Sequence, residues 1–247
     1  MEGVKKRKAL ILAAGRGKRM GSESPKCLVK VFDMPMIEMV IKNVKDAGID
    51  DITFVLGYKA EEVLKVIGSD KKVCYQEKLL GTASAVMSAK GALENEESTL
   101  LIIASDMPFV SSDSIKNAFK TFYEKDSDIL ITTAMFSKDN NYGRVIRNEK
   151  GNIIKIVERK DCTKEEMMVQ EVNASVYIVK SEEIFELLEK VGNNNKQNEY
   201  YFTDVVKIYR DLEKNVTSFS LEDDREIIGI NSEEDLALAK DIFKWNQ

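Results

Sequence analysis

The sequence predicts an α/β fold: a Rossmann-like, mostly parallel sheet flanked by helices, with a small antiparallel β addition. Two observations lead to this prediction. In the first half of the chain, short apolar runs of strand length alternate with amphipathic stretches of helix length, and in the second half strand-like runs follow one another with fewer helices between them. Parallel strands are joined by crossover helices that cover both faces of a sheet, whereas antiparallel strands need only short turns.

Each element of the parallel part has its own pattern. Unbroken apolar runs are typical of strands buried on both faces, and they occupy residues 9–13, 52–56, 73–75, 100–104 and 129–133. Helices are predicted between them at residues 35–47, 60–67, 83–93 and 111–123. In the first helix the apolar residues share one broad face, and Gly48 stands where a helix C-terminus uses glycine.

The antiparallel addition is predicted from residue 142 onward. Strands are expected at 142–147, 153–158 and 172–179, helices at 181–188 and 202–212, and further strands at 216–220 and 226–228. A last helix opens at Ser232, whose hydroxyl is the predicted N-cap, with Asp235 at the third position of the turn.

Composition excludes several classes of function. A formal net charge of −5 argues against nucleic-acid binding, which usually needs a basic face. The absence of histidine excludes a Ser-His-Asp triad and a histidine zinc site. A basic run at residues 5–8 precedes too few apolar residues for a signal peptide or a membrane span. Three distant cysteines fit neither a disulfide framework nor a zinc motif, so we expect a cytoplasmic protein without membrane attachment.

A glycine loop follows the first predicted strand. Residues 12–20 read Leu-Ala-Ala-Gly-Arg-Gly-Lys-Arg-Met. Glycines let backbone amides approach phosphate oxygens closely, and Arg19 offers a planar set of donors to a triphosphate. The loop lacks the Walker A spacing, and Met20 stands where a dinucleotide fingerprint needs glycine, which makes dinucleotide binding a weak competitor. A plain surface turn is the other alternative.

Two charged side chains lie on loops near the same predicted sheet edge. Lys26 follows Ser24 and Pro25 after the glycines, and Asp106 follows the strand at 100–104. Ligands of open α/β sheets bind beyond the carboxyl ends of the strands, where an ammonium neutralises phosphate and a carboxylate suits Mg²⁺. An ordinary surface lysine and a turn-capping aspartate are the alternatives.

These segments, together with later ones, resemble the sugar nucleotidyltransferase family, and within it the uridyltransferase half of the bifunctional bacterial enzyme that makes UDP-N-acetylglucosamine. The resemblance runs nearly end to end, and its specificity comes from the order and spacing of segments that are individually weak. The matching segments are residues 12–20, 24–26, 76 with 80–82, 106–108, 142–144, 157–161, 171–173, 193–195 with 199–201, and 229–231.

The resemblance implies UTP and N-acetylglucosamine 1-phosphate as substrates and Mg²⁺ as cofactor. It implies catalytic roles for Arg19 and Lys26, nucleotide binding by Leu12, Ala13, Ala14, Gly15, Gln76, Gly81 and Thr82, sugar binding by Gly143, Glu158, Asn173, Tyr201 and Thr203, and metal binding by Asp106 and Asn231. The sugar phosphate already carries an ionised oxygen nucleophile. The chemistry therefore requires alignment and charge neutralisation rather than a histidine base.

Departures from the family pattern are small. Ser105 stands before Asp106 where the family commonly has glycine, and Ala83 replaces the last glycine of a Gly-Thr-Gly segment, so we expect altered packing rather than lost activity. Within a single domain of residues 1–247, the resemblance implies a nucleotide-binding part at 1–136, a sugar-binding part at 137–231 and a C-terminal helix at 232–247. One departure is larger: the bifunctional enzyme continues into a left-handed β-helix acetyltransferase domain, which we do not expect within residues 1–247, and hence we expect no trimer through it. A different sugar phosphate or nucleoside triphosphate, or a non-catalytic nucleotide-binding module, remains open.

Overall fold

The computed structural model describes residues 6–17, 24–95, 97–136 and 140–243. Strands and helices alternate along the first half of the chain, as the apolar runs predict. The strands are β1 (Arg7–Ala13), β2 (Lys30–Val31), β3 (Met34–Pro35), β4 (Ile52–Leu56), β5 (Lys72–Tyr75), β6 (Thr99–Ala104), β7 (Ile129–Met135), β8 (Arg144–Arg147), β9 (Ile153–Val157), β10 (Glu171–Lys180) and β11 (Val216–Ser220). The α-helices are α1 (Met36–Asp46), α2 (Ala60–Ile67), α3 (Thr82–Met87), α4 (Lys90–Leu93), α5 (Ser112–Glu124), α6 (Ser181–Leu188), α7 (Val205–Asp211) and α8 (Glu233–Phe243).

The main sheet is mostly parallel, which confirms the predicted fold class. Its strands lie in the order β11-β7-β10-β6-β1-β4-β5. β1 pairs in parallel with both β4 and β6, and β4 pairs in parallel with β5. β10 is the antiparallel exception, because it lies between β6 and β7 and runs against both.

Helices cover both faces of this sheet and form two large apolar cores. On one face α1, α2 and α5 pack against alternate residues of the strands, with Ile11 and Phe54 among the buried side chains. On the other face α3, α4, α6 and α7 pack against the intervening residues, such as Leu10 and Val55. Because successive side chains of a strand point to opposite faces, strands covered on both sides must be apolar throughout.

A β-hairpin extends the sheet and forms the predicted antiparallel addition. β8 and β9 pair with each other in antiparallel fashion, and β8 joins β10 where Val172 lies opposite Arg144. The register of β10 against β7 shifts between Asn173 and Tyr177, and Ser175 within this bulge has a positive φ of 54°. The bulge bends β10, so that its end near Val172 also pairs with the hairpin while the rest of the strand lies within the main sheet.

The last helix, α8, closes one end of the molecule over a small third core that includes Met36, Ile230 and Ala239. The predicted N-cap is confirmed, since the Ser232 hydroxyl accepts the backbone N–H of Asp235 at 3.1 Å. Across the part of the chain that the structure describes, no helix is both long enough and apolar enough to cross a membrane.

Two sequence predictions need correction. The strand predicted at 226–228 is wrong: Asp224–Ile227 is a 3₁₀ helix, opened by the Asp223 side chain accepting the N–H of Arg225 at 3.0 Å. The helix predicted at 83–93 is two helices, α3 and α4, because the backbone leaves the helical region at Ala89, with φ −93° and ψ 1°.

Two further features also differ from the predictions. The helix predicted at 202–212 begins as a 3₁₀ turn, Phe202–Asp204, before α7. The two-residue strands β2 and β3, which form a separate small antiparallel sheet, were not predicted. Two residues are too few for a hydrophobic period to be recognised.

Candidate active site

The loops that leave the carboxyl ends of β1 and β6 lie together, and we call the region between them the crevice. Within the main sheet, the next strands along the chain, β4 and β5, lie on one side of β1, whereas β6 lies on the other side of β1. The backbone N–H of Ser105 donates to the Leu12 carbonyl at 2.9 Å, so the loops that leave β1 and β6 begin side by side. In open α/β sheets this reversal of strand order is where ligands bind.

The first part of the glycine loop is held against the loop that follows β4. The carbonyl of Ala14 accepts the N–H of Tyr58 at 3.2 Å. A Cβ on Gly57 would lie 2.9 Å from the Ala14 Cβ, so the two backbones touch. A Cβ on Gly15, in contrast, would have no described atom within 4 Å, and Gly15 is exposed.

The rest of the predicted phosphate loop is described in part. Leu12 and Ala13 are the last residues of β1, and Ala13 is buried. Gly17 has a positive φ of 63°, and a Cβ there would lie 2.9 Å from the Cβ of Lys26. Arg19, the other predicted catalytic residue, lies outside the described residues.

Lys26 lies at the centre of the crevice and contacts both predicted metal-binding residues. Its ammonium donates to the carboxylate of Asp106 and, at 2.7 Å, to the side-chain oxygen of Asn231. The Lys26 and Asp106 side chains are 15% and 22% exposed, so the ion pair is partly shielded from water. Lys26 is thus a partly buried, ion-paired lysine, and its role at a phosphate stays a prediction. Burial raises the pKa of the adjacent Cys27 thiol to about 12, which keeps that thiol protonated.

Main-chain hydrogen bonds hold the Asp106 and Asn231 loops together. The Asp106 carbonyl accepts the N–H of Ile230 at 3.0 Å. The Asp235 carboxylate accepts the N–H of Asn231 at 2.8 Å, so the helix-capping segment of α8 also orients Asn231. On the other side, the Asn43 side chain of α1 donates to two carbonyls of residues 108–110, at 3.1 and 2.9 Å.

The two side-chain oxygens that bind the Lys26 ammonium show whether a metal ion would fit at this position. A carboxylate oxygen of Asp106 and the amide oxygen of Asn231 both bind the Lys26 ammonium, so a single cation can reach both. Within residues 6–17, 24–95, 97–136 and 140–243 there is no group of three or more Cys, Asp and Glu side chains that could hold a metal. Two protein oxygens, with substrate phosphates and water for the remaining positions, are the ligand set typical of Mg²⁺.

Gln76, Gly81 and Thr82 form a second group beyond the end of β5. Gln76 is 6% exposed, and its side-chain amide donates to the Gly81 carbonyl at 3.1 Å. The segment around Gly81 pairs with residues 200–202: Ala83 N–H donates to the Tyr200 carbonyl at 2.9 Å, and the Thr82 hydroxyl accepts the N–H of Phe202 at 2.8 Å.

Four of the five predicted sugar-binding residues form a third group around the hairpin. The Thr203 hydroxyl donates to the Glu158 carboxylate at 3.0 Å. The N–H of Asn173 donates to the Gly143 carbonyl at 2.9 Å, and a Cβ on Gly143 would lie 3.6 Å from the other Glu158 oxygen. The Asn173 side chain is fixed by donating to the Tyr177 hydroxyl at 2.6 Å.

Glu158 is a partly buried carboxylate. Burial raises the pKa of Glu158, the Thr203 hydroxyl opposes that shift, and the charges of Asp204, Asp161 and Glu199 raise it further. Burial likewise raises the pKa of Tyr201 to about 12, and the Tyr201 hydroxyl accepts a hydrogen bond from the Gln197 side chain at 2.7 Å. Glu158 is thus a carboxylate that gains from hydrogen-bond donors, which a ligand rich in hydroxyl groups supplies.

Glu158 and Tyr201 also line a cavity of about 390 Å³ between β9, α7 and the loop that contains Asn195. Lys26, Asp106 and Asn231 do not line it. Tyr201 therefore shares this cavity with Glu158, whereas Gly143, Asn173 and Thr203 do not line it.

Tyr142 joins the hairpin to the Lys26 crevice, and the sequence reasoning gave it no role in the site. It precedes Gly143, and its hydroxyl accepts the N–H of Gly229 at 3.4 Å, next to the Asn231 loop. Burial raises the pKa of Tyr142, so its hydroxyl stays neutral. The signal that the sequence offered for Tyr142 was its position directly before Gly143, a predicted sugar-binding residue.

Comparison with known proteins gives a consistent result. Residues 9–154 match the model of the MobA-like NTP transferase domain family. The chain is 37% identical over 236 residues to the bifunctional protein GlmU of Acetivibrio thermocellus, a match that covers 96% of this chain and 51% of that protein. It is 41% identical over 239 residues to GlmU of Clostridium botulinum, covering 96% and 52%. The chain thus spans about half the length of the curated relatives it matches, and the resemblance drawn from its sequence is confirmed.

A solved structure supports the fold. The crystal structure of UDP-glucose pyrophosphorylase complexed with UDP-glucose superposes with a TM-score of 0.74, covering 98% of this chain and 99% of that one, at 20% sequence identity. At that identity the likeness establishes the shared fold alone.

Proposed function

We propose that this chain, which belongs to the MobA-like NTP transferase domain family, transfers the uridylyl group of UTP to N-acetylglucosamine 1-phosphate and releases pyrophosphate, with Mg²⁺ as cofactor. The observation that carries the proposal is the meeting of Lys26, Asp106 and Asn231 beside a glycine loop, at the reversal of strand order. The matches to GlmU proteins favour this pair of substrates over others.

The described residues fit the charge requirements of such a reaction. Two anions must be brought together, and the accessible backbone at Gly15 offers neutral donors to the triphosphate. Lys26 reaches the same region and would neutralise phosphate charge as the α-phosphorus is attacked and pyrophosphate leaves in line. The phosphate of the sugar is itself the nucleophile, so no protein base is needed. Bound Mg²⁺, held by Asp106 and Asn231, would supply further neutralisation and alignment.

The hairpin group provides a surface suited to an amino sugar. The Glu158 carboxylate can accept hydrogen bonds from sugar hydroxyls, and the Asn173 amide keeps one N–H beyond the bond to Tyr177. A partly buried carboxylate with acceptor capacity beyond its bond to Thr203 discriminates for ligands that provide donors, because an unsatisfied partner costs free energy. These contacts are the proposed source of selectivity for the sugar.

The test is pyrophosphate release by the purified chain with Mg²⁺, over a grid of UTP, CTP, dTTP and ATP against N-acetylglucosamine 1-phosphate and glucose 1-phosphate. Release confined to UTP with the amino sugar supports the proposal. Release with another pair of substrates would mean that the selectivity roles assigned to Gln76, Glu158 and Asn173 are wrong. If folded protein that still binds nucleotide releases no pyrophosphate with any pair of substrates, the result would favour a non-catalytic binding module.

Matched variants separate catalysis from binding. We expect Lys26→Ala and Asp106→Ala to lower kcat/KM by about 10²-fold or more, since each removes a charge at the proposed reacting phosphates. Lys30→Ala removes an exposed lysine from β2 of the same region and should leave kcat/KM within about twofold of the wild type.

A further inference from the structure

The position of the Lys26 ammonium bears on when a metal ion can bind. Lys26 donates to the Asp106 carboxylate and to the Asn231 side-chain oxygen, and these are the two protein oxygens proposed above to hold Mg²⁺. The ammonium therefore occupies the ligand set that the metal requires. Without nucleotide, the lysine satisfies both oxygens and balances the carboxylate charge within the structure.

Two cations cannot occupy this position together at low energy. Mg²⁺ binds oxygen at about 2.0–2.1 Å in near-octahedral geometry, and an ammonium hydrogen bond is about 2.7–2.9 Å long. A metal and an ammonium sharing the same oxygens would lie within about 5 Å of each other. At the 15% and 22% exposure of this pair, water screens that repulsion far less than at an open surface.

The base of the Lys26 side chain fixes where its ammonium can go instead. Lys26 opens a 3₁₀ turn, Lys26–Leu28, whose Cys27 side chain is buried, so the Lys26 backbone is anchored. The backbone of Gly17 touches the stem of Lys26, because a Cβ on Gly17 would lie 2.9 Å from the Lys26 Cβ. Rotation of the long side chain can thus carry the ammonium from the Asp106 oxygen toward the glycine loop.

We propose that Lys26 is an internal placeholder cation, which keeps the metal-binding oxygens occupied until a nucleoside triphosphate draws the ammonium away. The inference rests on the proposed function for the identity of the ligands. Phosphate oxygens near the glycine loop give the ammonium a new anionic partner, and Asp106 and Asn231 become available to the metal that accompanies the nucleotide. Metal binding and nucleotide binding are coupled through one side chain, and free metal binds weakly to the protein alone.

The experiment measures Mn²⁺ binding to the full chain without nucleotide or sugar, with free Mn²⁺ quantified by electron paramagnetic resonance. Lys26→Met removes the ammonium and keeps a side chain of similar length. We expect this variant to bind Mn²⁺ at least about tenfold more tightly than the wild type. Lys26→Arg, which retains a cation, should remain as weak as the wild type. If Lys26→Met does not fold, Lys26→Gln takes its place.

Two controls make the result specific. Lys30→Met removes the same charge from a nearby exposed position, so a gain equal to that of Lys26→Met would reduce the effect to net charge and overturn the proposal. Adding Asp106→Asn to Lys26→Met should abolish the gain. A gain that persists in the double variant, or equal affinity in Lys26→Met and the wild type, also overturns it. Since no substrate is present, a chain inactive in the pyrophosphate assay can still give the expected metal result.

Discussion

Gly81→Ala tests how closely the backbone at Gly81, beside Gln76, packs against the backbone of Tyr200. Gly81 has a φ of +115°, a conformation that costs a residue with a side chain about 1–3 kcal/mol. An added Cβ would lie 2.5 Å from the carbonyl oxygen and 2.7 Å from the nitrogen of Tyr200. These backbone atoms bond Ala83 and Leu80 at 2.9 and 2.8 Å, so relief of the clash breaks at least one hydrogen bond, worth about 1 kcal/mol.

Together these costs predict a loss of about 3 kcal/mol. For a chain of this size the loss lowers Tm by about 6–12 °C, measured by calorimetry and by urea denaturation. The matched control is Gly91→Ala, within α4, where an added Cβ would meet no described atom within 4 Å. Alanine is the better helix former by about 0.5–1 kcal/mol, so this control should melt slightly above the wild type. If Gly81→Ala melts with the wild type, the argument from backbone contact fails.

Three further predictions concern buried polar groups. Burial raises the pKa of Glu158, so the folded protein loses stability as the pH rises from the ordinary carboxyl pKa to that raised pKa, and the full cost persists above it. Glu158→Gln should therefore melt above the wild type at about pH 8, with a gap that closes toward about pH 4. A pH-independent gap would contradict this cause. Among the described residues the buried Tyr209 hydroxyl lacks a hydrogen-bond partner. Tyr209→Phe should therefore raise the free energy of unfolding, measured by calorimetry, by about 1 kcal/mol. A lower free energy of unfolding would show that the hydroxyl has a partner. Asn43→Ala leaves two carbonyls of residues 108–110 without their donor and should cost about 1–3 kcal/mol in urea denaturation; unchanged stability would mean that the Asp106 turn holds without α1.

Most of the parallel sheet could be predicted because its strands are covered on both faces. Burial on both sides makes a strand an unbroken apolar run, and the runs at 52–56 and 129–133 begin where β4 and β7 begin. The error at 226–228 has a different origin. That segment is short and apolar at its end, but the Asp223 side chain turns the chain into a 3₁₀ helix, a local hydrogen bond that hydrophobic pattern does not register.

Only part of the site could be predicted from the sequence, since sequence order does not show which distant loops meet in the folded chain. Sequence position at strand ends placed Lys26 and Asp106 near one crevice, because carboxyl ends of parallel strands meet at one edge. Asn231, from a loop 125 residues after Asp106 (231 − 106), entered the prediction only through the family resemblance, and the direct contact of Lys26 with both residues depends on tertiary packing. The division into parts at 1–136 and 137–231, and the role of each site residue, stay predictions.

The shared strand β10 has a consequence for how such proteins diversify. It lies between β6 and β7 at the centre of the main sheet, and its other end carries the hairpin of β8 and β9. A genetic exchange that replaced the hairpin together with β10 would also replace a central strand of the scaffold. If this region binds the sugar as proposed, point substitution around the Asn173 bulge is a more accessible route to a new sugar preference than recombination of whole modules.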